Sequence, residues 1–171
     1  IDTSEDFGTI QAAIDDDDTA NGHTIVVDVG THCESNIKVD KSVTISGQSQ
    51  SGVVIAPAAE DQFTDSGDCY VPRYFDANSQ QAFIVLTDTV TIRNLTIDGS
   101  ANNLENGGTL PNHYNFRNGI INFGQESPSD VYDNLRVEGV TMKHLNKAAI
   151  ALGCWGCPAN GGHNITGCDI S

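Results

Sequence analysis

The stretch Val90-Thr-Ile-Arg-Asn-Leu-Thr-Ile-Asp-Gly99 decides the fold. Apolar and polar residues alternate around Val90 and Ile92, and they alternate again from Leu95 to Ile97. Between the two runs, Arg93-Asn94 interrupts the alternation. This pattern predicts two short strands joined by a two-residue corner.

The same unit occurs twice more, in the segments 135–142 and 165–170. In each copy, the apolar positions on the two sides of the corner are five residues apart, as in Ile92 and Ile97, Val137 and Met142, and Ile165 and Ile170. One column at the corner holds Asn94, Gly139 and Gly167. Asn and Gly tolerate the left-handed backbone that a sharp corner needs. A constant spacing with corner residues in register predicts stacked coils.

Composition limits the classes of partner. The 171 residues fit a single domain, 1–171, and 23 acidic residues against 8 basic ones give a net charge of −15. This charge argues against nucleic acid and anionic membranes as partners, and it favours cations, neutral sugars or a saline habitat. No apolar run approaches the roughly 20 residues of a spanning helix, so we expect no membrane insertion.

The order of patterns along the chain predicts an all-β fold, a right-handed parallel β-helix of about four coils. Helical spacing from Phe7 to Asp15 predicts a short N-terminal helix that caps the first coil. We expect coils to start at Thr24, Ala82, Gly119 and Ala148. The last coil carries no capping segment, so the sequence predicts a truncation at Ser171, with further coils or a partner chain on that end.

The predicted first strands set the expected faces of the coil. One aligned column, with side chains predicted to point inward, is Val27, Ile84, Ile121 and Ile150. The neighbouring columns, predicted to point outward, are Asp28, Val85, Asn122, Ala151 and Val26, Phe83, Ile120, Ala149. Two long polar excursions, Ala58–Gln80 and Ser100–Arg117, should emerge on one side and wall a groove along these strands.

The five cysteines divide by position. Cys168 shares a column with Leu95 and Val140, which predicts a buried, unpaired thiol. The other four lie in predicted loops, and we expect the bridges Cys154–Cys157 and Cys33–Cys69 in an oxidising compartment. Two cysteines three apart also fit a redox dithiol, but such a motif belongs at a helix N-terminus, so a structural staple is the preferred interpretation.

The segments Phe7–Asp15, F-G-T-I-Q-A-A-I-D, and His23–Gln48, H-T-I-V-V-D-V-G-T-H-C-E-S-N-I-K-V-D-K-S-V-T-I-S-G-Q, resemble the pectin-lyase-like superfamily. The likeness is to the N-terminal coil of pectinesterase-type proteins and covers about the first third of the chain. It implies a β-helix fold, an extracellular, periplasmic or cell-surface location, and action on acidic polysaccharides. A shared fold does not by itself imply the reaction.

The resemblance also implies where the chemistry would lie. Esterase or hydrolase chemistry needs paired carboxylates on the outward face, which offers only Asp28. A lyase would instead hold calcium on loop carboxylates and use an arginine, Arg73 or Arg117, as the base. The loop carboxylates available for calcium are Asp65, Asp68 and Asp76. The competing interpretation is that these two loops carry ordinary solvated charge.

The predicted substrate contacts are Asn122 on the outward face, Tyr74 in the first excursion and Trp155 in the last loop. The competing interpretation, which the loop position favours, is that Trp155 packs over its own loop. The sequence therefore predicts a secreted β-helix domain that binds or acts on polysaccharide. The alternative is a structural or adhesive repeat segment of a larger surface protein.

Overall fold

The computed structural model describes residues 6–57, 80–99, 116–122, 132–145, 148–152 and 162–170. Within these ranges the chain forms one helix, α1 (Ile10–Asp15), and fourteen strands. The strands are β1 (Thr24–Val27), β2 (Gly30–Cys33), β3 (Ile37–Val39), β4 (Thr44–Gly47), β5 (Val53–Ala56), β6 (Gln80–Val85), β7 (Thr91–Arg93), β8 (Thr96–Asp98), β9 (Phe116–Asn122), β10 (Arg136–Glu138), β11 (Thr141–Lys143), β12 (Ala148–Leu152), β13 (Asn164–Thr166) and β14 (Asp169–Ile170).

The strands form three sheets in which every neighbouring pair is parallel. Sheet A has the order β1-β4-β7-β10-β13, sheet B the order β2-β5-β8-β11-β14, and sheet C the order β3-β6-β9-β12. Successive strands belong to successive sheets, and every third strand returns beside an earlier one. The chain is therefore an all-β parallel solenoid, with five levels in sheets A and B and four in sheet C.

The corner between sheets A and B matches the repeated sequence unit. Ile92, Val137 and Ile165 are partners in sheet A, and Ile97, Met142 and Ile170 are partners in sheet B. At the corner, Asn94, Gly139 and Gly167 have φ values of 60°, 57° and 61°. The predicted register and the left-handed corner column are both confirmed.

A continuous apolar core fills the solenoid. It is built by the inward columns of the three sheets, and each apolar column is buried only because neighbouring coils stack on it. The fully buried members include Ile45, Ile55, Phe83, Val85, Ile92, Ile97, Ile120, Val137 and Met142. No helix among the described residues has the length and apolar character needed to cross a membrane.

Helix α1 lies at the first coil. It begins at Ile10 rather than at Phe7 as expected, because Thr9 has extended dihedrals and its Oγ1 accepts the Ala12 N–H as an N-cap. Ile10 and Ile14 are buried in the core, whereas Phe7 is exposed.

Polar contacts tie this helix to the first coil. The carboxylate of Glu34 accepts the backbone N–H groups of Ile10 (2.8 Å) and Gln11 (3.1 Å), two of the donors that a helix start leaves free. The side chain of Gln11 accepts the Lys38 N–H at 2.7 Å and donates to the Lys38 C=O at 3.3 Å. Gln11 thus forms two hydrogen bonds with the edge of β3, of the kind that a neighbouring strand would form.

The predicted grouping of strands into coils is wrong in the first coil. Thr24–Val27 pairs with β4 in sheet A, and not with the strand around Ala82. The first-coil partner of Phe83 is Ile37, in β3. In the last coil, Ile121 pairs with Ala151 instead of Ile150, one residue away from the expected register.

The predicted faces of β6 and β9 are also reversed, whereas Ile150 and Ala151 of β12 lie on the inner and outer faces as predicted. Phe83, Val85 and Ile120 belong to the main core, although they were expected to point outward. Ile84 and Ile121 form a second, separate buried cluster with Leu86 and Ala151 packed against it. Because side chains alternate along a strand, this second cluster lies on the outer face of sheet C.

Candidate functional site

Most of the predicted site residues lie outside the described residues. These are the metal candidates Asp65, Asp68 and Asp76, the base candidate Arg73, the substrate contacts Tyr74 and Trp155, and the cysteines Cys69, Cys154 and Cys157. The backbone of Arg117 lies in β9, but its side chain is outside the description. Among the predicted site residues and the cysteines, the structure therefore describes the side chains of Asp28, Asn122, Cys33 and Cys168.

Asp28 is exposed just after β1, at the sheet A corner of the first coil. Its carboxylate accepts a hydrogen bond from Gln48 Nε2, and its backbone oxygen lies 2.9 Å from His32 Nε2. It borders a groove of about 790 Å³ between α1 and β1, which Asp6, Asp16 and Asp18 also line. Among the described residues, no group of three or more His, Cys, Asp or Glu side chains could hold a metal ion.

Asn122 is buried and not on an exposed face. Its Nδ2 donates to the Tyr132 backbone oxygen at 3.2 Å, and its Oδ1 has no hydrogen-bond partner among the described residues. It lies in the sheet C column of Val85, which belongs to the main core. The prediction that Asn122 faces outward is therefore wrong, and the physical reason is the one-residue error in the predicted face of β9.

The two described cysteines are both free thiols. Cys33 is exposed in β2, which does not match the predicted bridge to Cys69. Cys168 is unpaired as predicted, but it is only partly buried against the core. Its Sγ lies 3.6 Å from the backbone oxygen of Val137, one coil below.

The outer face of sheet A is open and polar. The outward residues of its five strands form two rows across the coils: Thr24, Thr44, Thr91, Arg136, Asn164 and Val26, Ser46, Arg93, Glu138, Thr166. Neighbouring members of a row are separated by the strand spacing of about 4.8 Å. We call this surface the sheet A face.

Two arginines stand on the sheet A face of a strongly acidic chain. Arg93 and Arg136 are both exposed, on the adjacent strands β7 and β10. Arg93 Nε donates to Ser46 Oγ at 3.1 Å, which directs the guanidinium along the face. Glu138, beside Arg93 in its row, is half-buried. The sheet A face thus combines two guanidinium groups with hydroxyl and amide groups.

A second cluster lies at the carboxyl ends of β8 and β11 in sheet B, and sequence reasoning missed it. Asp98 Oδ2 lies 3.0 Å from Lys143 Nζ, and Asp98 Oδ1 lies 2.8 Å from His144 Nδ1. The Asp98 side chain is 14% exposed, while those of Lys143 and His144 are 37% and 53% exposed. The repeat register pairs Asp98 with Lys143, so the alignment of Ile97 with Met142 could have indicated this contact.

No protein-family model matches the chain, and it has no match among the curated proteins or the solved structures.

Proposed function

We propose that this chain is a secreted, right-handed parallel β-helix domain that binds acidic polysaccharide on the sheet A face. The observation that carries the proposal is the pair of exposed arginines, Arg93 and Arg136, among aligned hydroxyl and amide side chains. A guanidinium is planar and matches a carboxylate with two parallel hydrogen bonds. Uronate sugars present such carboxylates at intervals along an extended chain.

The hydroxyl side chains of the sheet A face supply the contacts to the sugar hydroxyl groups. Thr44 and Thr91 are half-buried neighbours on β4 and β7, and Ser46 already holds Arg93 in place. Side chains of this kind can donate to and accept from sugar hydroxyl groups. The outer face of sheet C suits this role poorly, because Ile84 and Ile121 there are buried.

The negative charge of the chain is the reason why we include calcium in the proposal. A net charge of −15 repels a polyuronate unless a divalent cation bridges the two. We therefore expect binding of acidic glycan to depend on calcium, and binding of neutral glycan to be independent of it. The predicted calcium ligands Asp65, Asp68 and Asp76 lie outside the described residues, so they stay a prediction.

The alternative is a structural or adhesive segment of a surface protein. The single carboxylate on the sheet A face, Glu138, favours it, since esterase or hydrolase chemistry of the expected kind needs two. Under this alternative, the sheet A face binds no glycan, and the arginines contribute only to solubility.

Titration calorimetry with polygalacturonate tests the proposal, in calcium and again with a chelator. Arg93→Ala and Arg136→Ala should each weaken binding about tenfold to a hundredfold, the effect of losing a charge-assisted hydrogen-bonded contact. Lys38→Ala removes a positive charge from the outer face of sheet C and should leave affinity unchanged. Equal affinity with and without chelator would remove calcium from the proposal, and no binding to acidic or neutral glycan would support the structural alternative.

A further inference from the structure

We propose that His144, oriented by Asp98 and flanked by Lys143, is the general base of a site that hydrolyses small carboxylic esters at the carboxyl ends of β8 and β11. This activity is separate from glycan binding on the sheet A face. The inference starts from the geometry of one imidazole ring. His144 Nδ1 is 2.8 Å from a carboxylate oxygen that can only accept, so Nδ1 carries the proton and donates. In the neutral ring, the other nitrogen, Nε2, is then a proton acceptor.

The other described histidines lack this arrangement. His23 Nδ1 accepts the Ala20 N–H, which places the proton of the neutral ring on Nε2. His163 Nδ1 accepts the Leu135 N–H, and its Nε2 is buried. His32 bonds through Nε2 to the backbone oxygen of Asp28. Of the four histidines in the described ranges, His144 alone pairs Nδ1 with a carboxylate and exposes about half of its side chain.

The backbone places His144 beside Asp98. His144 has a φ of 55°, in the left-handed region that non-glycine residues seldom adopt. Its carbonyl packs so closely on Gly99 that a Cβ there would clash with the His144 oxygen. The Gly99 N–H also donates to the Lys143 backbone oxygen at 3.0 Å. Gly47 and Asn94 form the same close contact at another corner, so this backbone belongs to the coil, and the hydrogen bond to Asp98 orients the ring.

The chemistry needs only water as a co-reactant. Nε2 of His144 takes a proton from a water molecule while the water oxygen bonds to the ester carbonyl carbon. The ammonium group of Lys143 stabilises the negative charge that develops on the carbonyl oxygen. The bond from carbon to the alkoxy oxygen then breaks, and the proton on Nε2 passes to the leaving alcohol. The products are a carboxylic acid and an alcohol, and His144 is again neutral.

Asp98 is a positioning residue in this scheme. Its carboxylate is largely buried and bonded to both neighbours, so it fixes the tautomer of His144 and balances the charge of the imidazolium that forms. An asparagine at this position could donate to Nδ1 and stabilise the opposite tautomer. Asp98→Asn should therefore lower kcat while leaving KM unchanged.

The test is hydrolysis of 4-nitrophenyl acetate by the full chain. His144→Ala should lower kcat/KM at least tenfold, the lower range of general-base catalysis at a water-exposed site. The matched control, His23→Ala, removes an exposed histidine without a carboxylate partner and should retain the wild-type rate. Added imidazole should restore the rate of His144→Ala, and thermal unfolding should show that the variant is folded. Equal rates for the two alanine variants, no rescue by imidazole, or a wild-type rate no higher than that of free imidazole would overturn the proposal.

Discussion

The first coil and the last described level of the solenoid are covered differently. At the first coil, Gln11 occupies the edge of β3, and Glu34 anchors the helix that carries Gln11. At the last described level, Ile165 and Ile170 belong to inward columns but are 43% and 61% exposed. Their partners one level below, Val137 and Met142, are fully buried. The comparison shows that burial in this fold comes from the next level of the stack. At the first coil, helix α1 takes the place of that level: Ile10 and Ile14 cover the core, and Gln11 bonds to the edge of β3.

The largest expected effect compares two isoleucines in one column of sheet B. Ile97→Ala should lower the free energy of unfolding by about 2–5 kcal/mol, because it opens a cavity in a fully buried site. Ile170→Ala should change it by no more than about 0.5 kcal/mol, because most of the side chain is in water. Chemical denaturation of both variants measures the difference. Similar losses at the two positions would contradict the account of burial by stacking.

The intermediate effect concerns the polar cover of the first coil. Gln11→Ala removes both hydrogen bonds to Lys38 and should cost about 1–2 kcal/mol of stability. The amide of Lys38 should also exchange its hydrogen faster, since its acceptor is lost. Gln48→Ala is the control, because Gln48 is exposed and its side chain bonds only to exposed Asp28. Unchanged exchange at Lys38 would show that Gln11 does not protect this edge.

The smallest effect is at the last described level, where Ile165 and Ile170 are exposed. Exposed apolar side chains on edge strands promote association between copies, and lysines on an edge oppose it. The double variant Ile165→Lys and Ile170→Lys should show less concentration-dependent association in light scattering, with stability nearly unchanged. The double control Thr24→Lys and Gln48→Lys adds the same two charges at exposed positions of the first two coils without removing an apolar group, so its association should match the wild type. An equal response in both variants would point to net charge alone.

The sequence predicted the last three levels of sheets A and B well because each of their corners carries a marker. A left-handed residue at Asn94, Gly139 and Gly167 fixes the phase of each copy, and five residues set the distance across it. The first coil lacks that marker: the corner position there is Val27, and the strand was assigned to the wrong sheet.

The inner and outer faces of sheet C could not be predicted from the alternation of apolar and polar residues. Phe83, Ile84 and Val85 are consecutive and all fully buried, so both faces of β6 are apolar and a period of two carries no information. A shift of one residue then exchanged the two faces, and with them the predicted position of Asn122. The Asp98 and His144 pair escaped prediction because it depends on side-chain geometry between coils, which no local pattern encodes.

The fixed corner has a consequence for how such a chain can grow or shrink over evolutionary time. Successive partners in sheet A lie 20 residues apart from Ile25 to Ile45, but 47 apart from Ile45 to Ile92. The corner between sheets A and B keeps its five-residue spacing in the last three coils, whereas the same two columns lie 7 residues apart in the first coil (Ile25 to His32) and 10 in the second (Ile45 to Ile55). Length varies more between sheet B and the next level of sheet A, where 13, 37, 40 and 23 residues separate the aligned positions. Gene duplication can therefore add whole coils, and those connecting segments are the part of each coil that is free to acquire new sequence.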